Sequence, residues 1–120
     1  MSRVLKFGRK PAATGQTKSL VIFLHGYGAN GADLLDIGDV LAPHLPKTAF
    51  VAPDAAERVP GAAFGYQWFA IPRFDGSTEA QSEAGLKRSG ADIDSFIDQR
   101  LAYEKIGPDA VALVGFSQGA

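Results

Sequence analysis

Two glycine-framed clusters hold the residues able to do chemistry. Gly115-Phe116-Ser117-Gln118-Gly119 sets a serine between glycines two positions away on either side, directly after the apolar run Ala110–Val114. A serine on a tight turn leaving a buried strand is exposed at the carboxyl end of a sheet and held in a strained backbone conformation. Its hydroxyl can attack a carbonyl once a base removes the proton. The flanking glycines answer the crowding of such a turn. The plain alternative is a capping serine at an ordinary strand exit, and the strand context favours the nucleophile.

The second cluster is His25-Gly26-Tyr27-Gly28-Ala29-Asn30-Gly31. It contains G-x-G-x-x-G between a strand and a helix, and Asp54 follows the next strand at about the distance expected for a ribose contact. Gly26, Gly28 and Gly31 therefore also read as a dinucleotide-binding fingerprint. His25 stands where an apolar or small residue is usual, and Pro53 bends the strand exit before Asp54, which counts against that reading. A glycine turn with no ligand is the third possibility. The two clusters explain each other if they share one site. Acyl transfer needs donors for a developing oxyanion. One is the amide after the nucleophile, Gln118; the other comes from a neighbouring strand's exit loop, where the Tyr27 N–H is the natural candidate.

Such a site needs a sheet beneath it. Ser19–Leu24 is a nearly continuous apolar run, Thr48–Ala52 is a second and Ala110–Val114 a third, all reading as strands buried on both faces. Val4–Phe7 reads as a weak first strand, and Gly8–Lys18 as a surface turn. Asn30 is a good N-cap for a helix whose stripe is Leu34, Leu35, Ile37 and Leu41, ended by Pro43 and Pro46. A second helix is clearest from Leu86 to Leu101, with the stripe Leu86, Ile93, Ile97 and Leu101 flanked by Phe96. Gln81–Arg88 reads as a solvated face. Alternating strands and helices predict an α/β fold with a mostly parallel sheet, helices on both faces and Ser19–Leu24 between the other two buried strands. Asp54–Ser77 has no clean period, and its aromatics Phe64, Tyr66, Trp68, Phe69 and Phe74 read as packing over the sheet edge. Trp68 has the best claim to line an apolar acyl pocket. Arg58 and Arg73 read as surface residues.

Composition narrows the classes. The 120 residues allow one domain at most. Twelve Lys and Arg against thirteen Asp and Glu give a net charge of −1, which draws the chain to neither nucleic acid nor an acidic membrane. With no cysteine, disulfides, thiolate metal sites and cysteine nucleophiles are excluded. His25 and His44 share no ligand spacing, so no metal site is expected, and no cofactor either. No apolar run reaches the length of a membrane span, and the N-terminus lacks the apolar core of a secretory signal, so a soluble cytoplasmic protein is expected.

FLHGYGANGADLL, VAPDA, QWF and VGFSQGA, in that order from Ser19 to Ala120, resemble the phospholipase/carboxylesterase family of α/β-hydrolases, which includes the acyl-protein thioesterases. The resemblance implies a serine esterase or thioesterase acting on a small-molecule or acyl ester. Ser117 would be the nucleophile, with the amides of Tyr27 and Gln118 forming the oxyanion hole and Trp68 close by. The family usually has an aspartate two residues after that tryptophan, where this chain has Ala70. In α/β-hydrolases the triad runs Ser, then Asp or Glu, then His. The sequence stops three residues after Ser117, and neither His25 nor His44 suits the role of base. Residues 1–120 are thus expected to be the N-terminal half of such a domain, a single partial domain that needs the remainder for turnover and for stable folding. A non-catalytic half-domain is the other outcome in view.

Overall fold

The computed structural model describes residues 2–120. Four strands, β1 (Phe7–Lys10), β2 (Ser19–Leu24), β3 (Thr48–Pro53) and β6 (Val111–Gly115), form one sheet in the order β1-β3-β2-β6. Strand β2 runs parallel to β3 and β6, and β1 pairs antiparallel with β3. The expected position of Ser19–Leu24 between the other two apolar strands is therefore found. A two-stranded hairpin, β4 (Glu57–Arg58) with β5 (Tyr66–Gln67), stands apart from this sheet.

Helix α1 (Gly31–Leu41) covers one face, seating Leu34, Leu35, Ile37 and Leu41 against Phe23, Phe50 and Ala52. Its start is the expected one: Asn30 Oδ1 accepts the Asp33 N–H at 3.0 Å, satisfying one of the orphan donors of the first turn. After the short helix α2 (Pro72–Asp75), the 26-residue helix α3 (Glu79–Glu104) covers the opposite face, with Phe96, Ile93 and Ile97 packed toward Leu20, Ile22, Ala49 and Val51. All six residues of β3 are buried, as a strand sandwiched between two helical layers must be.

Several expectations need correction. The first strand is Phe7–Lys10 rather than Val4–Phe7, and Val4 is exposed. Charge at Arg9 and Lys10 hid it, yet an edge strand tolerates charge, and Arg9 forks onto Glu104 of α3 at 2.8 and 2.9 Å. Helix α3 begins at a Thr78–Gln81 capping box, well before Leu86. The residues it buries most deeply are Gly85, Ser89, Asp92 and Phe96, whereas Leu86 is largely exposed. That face looked polar because its polar members have fixed partners. Phe64 and Phe74 are also exposed rather than packed over the sheet edge.

Asp92 shows what such a partner is worth. Its carboxylate, 2% exposed, accepts the Arg3 backbone N–H at 2.6 Å and the Arg3 Nε–H at 2.9 Å, tying the N-terminal segment to α3. Removing one partner of a buried pair strands the other charge. Arg3→Ala is expected to cost about 3 kcal/mol, at the low end for such pairs because Arg3 itself is partly exposed. Urea unfolding checks it, and an unchanged midpoint would show that Asp92 finds water or another donor.

Candidate active site

Strand β6 delivers the serine. Phe116 N–H continues the ladder to Leu24 C=O at 3.0 Å, and the chain then turns sharply, with Gly119 N–H bonded to Phe116 C=O at 2.9 Å. Ser117 sits at φ +53°, in the left-handed region that non-glycine residues rarely enter. The anticipated crowding is real. A Cβ on Gly115 would lie 2.6 Å from Ala120 Cα, and one on Gly119 would lie 2.6 Å from His25 C=O and collide with Leu24 C=O.

The loop after β2 lies against this turn. A Cβ placed on Gly26 would be 3.3 Å from Ser117 Cβ and 4.0 Å from its Oγ, so the peptide leading to Tyr27 runs beside the serine. Residues 26–29 form a β-turn closed by Ala29 N–H to Gly26 C=O at 3.2 Å, with Gly28 at φ +79°. Gly28 N–H is taken by Tyr66 C=O at 2.8 Å, and Tyr66 N–H returns to Ala29 C=O at 3.0 Å, which pins the loop to β5. Among the described residues, neither the Tyr27 N–H nor the Gln118 N–H has an acceptor. The two amides nominated from sequence are thus unoccupied donors on the two loops that meet at Ser117, as are the Gly26 and Ser117 N–H groups.

Gly31 and Asp54 serve other ends than the dinucleotide fingerprint requires. Asp54 Oδ1 accepts the Gly31 N–H at 2.8 Å, and with Asn30 it closes the N-terminus of α1, where a pyrophosphate would have to sit. A carboxylate there repels a second anion. Gly31 is needed because a Cβ would lie 2.7 Å from the Ala52 carbonyl carbon, so the helix start packs straight onto β3.

His25 is fully buried and is no base. Its Nδ1–H donates to Gly26 C=O at 2.7 Å and its Nε2 accepts the Ala55 N–H at 3.0 Å, a pattern only the neutral ring satisfies. Burial pushes its pKa below the ordinary 6.5, outweighing the hydrogen bond to Gly26 and the charge of Asp54, which raise it. His44 is exposed at the turn between α1 and the start of β3, at the opposite end of the parallel strands from the serine turn.

These shifts set an acid sensitivity. A folded pKa below the unfolded value means that the unfolded chain binds more protons, so stability falls as pH drops below about 6.5. A second loss begins as pH falls below 4.5, where the unfolded chain takes up a proton at Glu104 that the folded chain, its carboxylate held low chiefly by the hydrogen bonds from Arg9, still refuses. Urea midpoints measured from pH 8 to 4 should fall in that order. His25→Asn, which carries no titrating ring, should flatten the first step only.

Trp68 is a buried strut as well as a wall. Its indole N–H donates to His25 C=O at 2.8 Å, and its ring stacks on His25 with centroids 4.9 Å apart. Its backbone N–H donates to Gln118 Oε1 at 2.8 Å, and Ser89 Oγ bonds its C=O. With Leu24, Phe69, Ile93, Gln118 and Ala120 it borders an open, mostly apolar cavity of about 230 Å3 beneath the serine turn. Ala70 faces a different cavity of about 560 Å3, also lined by Gln67, Asp75, Ser77 and Arg88. Arg58 and Arg73 are exposed as expected. Sequence reasoning missed Ser89 and the structural use of the His25 ring; the spacing of Gly85, Ser89, Asp92 and Phe96 was the signal for the first. Among the described residues, no three His, Cys, Asp or Glu cluster as metal ligands, and no helix is long and apolar enough to cross a membrane.

Known proteins resemble this chain in sequence and fold. Esterase YpfH of Escherichia coli K12 is 35% identical over 106 residues, covering 86% of this chain and 43% of that one. Acyl-protein thioesterase 1 of Mycosarcoma maydis is 32% identical over 124 residues, covering 93% of this chain and 49% of that one. The crystal structure of esterase PE8 superposes with a TM-score of 0.88 at 38% identity, covering 98% of this chain and 54% of that one. The chain thus spans about half the length of the curated relatives it matches. Residues 11–120 match the phospholipase/carboxylesterase family as a whole. With strand, serine turn and glycine loop all in place, the chain belongs to the phospholipase/carboxylesterase family of α/β-hydrolases.

Proposed function

We propose that this chain carries the nucleophile and oxyanion hole of a serine esterase that hydrolyses carboxylic esters or thioesters. The observation that carries the reading is Ser117 at φ +53° with the Gly26–Tyr27 peptide against it. Ser117 Oγ attacks the ester carbonyl carbon while a base takes its proton. The Tyr27 and Gln118 N–H groups receive the oxygen as it becomes negative. The bond to the leaving alcohol or thiol then breaks, that group takes up the proton, and water later releases the acid from the serine. The base and its carboxylate partner lie in the remainder of the domain, in the order found in such hydrolases. Strand β6 supports that division: its outer edge has no strand partner among the described residues, and Leu113, Val114 and Phe116 are exposed. Unpaired apolar edges of this kind favour aggregation unless covered. This acyl transfer calls for no cofactor and no metal. The relatives' names, an esterase and an acyl-protein thioesterase, support an acyl ester as substrate class. A cytoplasmic site of action goes with this reading and is checked by fractionation.

The test is covalent. A fluorophosphonate should label the full-length protein once, at Ser117, and Ser117→Ala should abolish the label. Labelling elsewhere, or none in a folded enzyme, contradicts the assignment and would favour a binding half-domain.

A further inference from the structure

We propose that the side chains of Gln118 and Trp68 are positioning residues that set both oxyanion donors from one short segment; this rests on the reading of Ser117 above. Gln118 Oε1 accepts the Trp68 N–H at 2.8 Å while its Nε2 donates to Phe69 C=O at 2.8 Å. A primary amide held at both ends fixes the Gln118 side chain and anchors its Cα, which restrains the adjoining peptide that carries residue 118's own N–H.

The same segment reaches the other donor. Trp68 Nε1–H donates to His25 C=O at 2.8 Å, and the indole stacks on the His25 ring. His25 Nδ1–H in turn holds Gly26 C=O at 2.7 Å. That carbonyl and the Tyr27 N–H belong to one planar trans peptide and point opposite ways. Holding the oxygen therefore aims the Tyr27 N–H away from the ring. Behind the segment, Ser89 Oγ bonds Trp68 C=O and α3 approaches so closely that a Cβ on Gly85 would lie 3.2 Å from Phe69 Cβ. The two donors sit on different loops, and residues 68 and 69 join them to one rigid helix.

Preorganised donors stabilise the transition state more than the bound ester, so loosening them should lower kcat and leave KM nearly unchanged. In the full-length protein, Gln118→Met, which loses both side-chain bonds, is expected to lower kcat by about a hundredfold with KM within about twofold. Fluorophosphonate titration of Ser117 counts folded sites, so kcat is taken per intact site. Gln118→Glu supplies a readout that packing alone would not move. Its carboxylate still accepts from Trp68 N–H but repels Phe69 C=O; protonated, it reproduces the amide's acceptor and donor. The ratio of its kcat to wild type should rise as pH falls. Asp94, the titratable group that shares the cavity beside Gln118, would face the introduced carboxylate as a like charge, which favours its protonated form and so leaves the sign of the pH trend unchanged.

Wild-type kcat in Gln118→Met, a KM effect alone, or a flat ratio would overturn the proposal. If Gln118→Met yields no folded sites, the Gln118→Glu ratio decides. If Ser117→Ala keeps full turnover, nucleophile and clamp fall together; if it is inactive while Gln118→Met turns over normally, only the clamp falls.

Discussion

Ser117→Ala is expected to lower esterase kcat in the full-length protein by about a millionfold, the loss seen when a serine hydrolase loses its nucleophile. The structure makes this a clean experiment. Serine and alanine share a Cβ, and Gly26, with no Cβ of its own, leaves the space beside it unchanged. Stability should change by less than about 0.5 kcal/mol, as for changes that touch no packing. Ser117→Gly should separate the two effects further. It is equally inactive, yet it relieves a left-handed conformation at φ +53° that costs an L-residue about 1 kcal/mol. A variant that is more stable and inactive would locate the strain at the nucleophile.

Gly119→Ala should strike folding and the site together. The added methyl would overlap Leu24 C=O and lie 2.6 Å from His25 C=O. Both carbonyls belong to the central strand end and its exit loop, and neither can retreat, because Leu24 C=O already bonds Phe116 N–H and His25 C=O bonds Trp68 Nε1–H. Overpacking of this kind costs about 3 kcal/mol. Whatever remains folded should have its serine turn displaced, so fluorophosphonate labelling should fall faster than the folded fraction measured by circular dichroism. Labelling that tracks the folded fraction would show that the turn relaxes locally.

Much of this was legible in the residues because local and global preferences agree there. Ser19–Leu24 and Thr48–Ala52 are apolar without alternation, which only a doubly covered strand needs, and the structure covers both faces with α1 and α3. Asn30 announced the start of α1, and the glycines of GFSQG marked a turn too crowded for side chains. What stayed hidden depended on partners far away in sequence. Asp92 is buried because Arg3 meets it across 89 residues, and Ser89 because it bonds the Trp68 carbonyl. Hydropathy scores such residues as solvent-facing, so the apolar stripe rightly takes in Ile93 and Ile97 but adds the exposed Leu86 and leaves out Ser89 and Asp92. Arg9 and Lys10 disguised an edge strand for the same reason, since Glu104 neutralises Arg9 from the far end of α3. The dinucleotide pattern was a true match to spacing. It failed on Asp54, whose carboxylate is spent on the start of α1.

The reading turns on one covalent bond. Full-length protein mixed with an ester that deacylates slowly, quenched in acid within the first turnover and digested, should give a peptide spanning Ser117 heavier by the acyl group. That mass is expected on Ser117 alone, at close to one acyl per folded site, and none in Ser117→Ala. Turnover with no acyl-peptide at any quench time, or an acyl group on another residue, would contradict it.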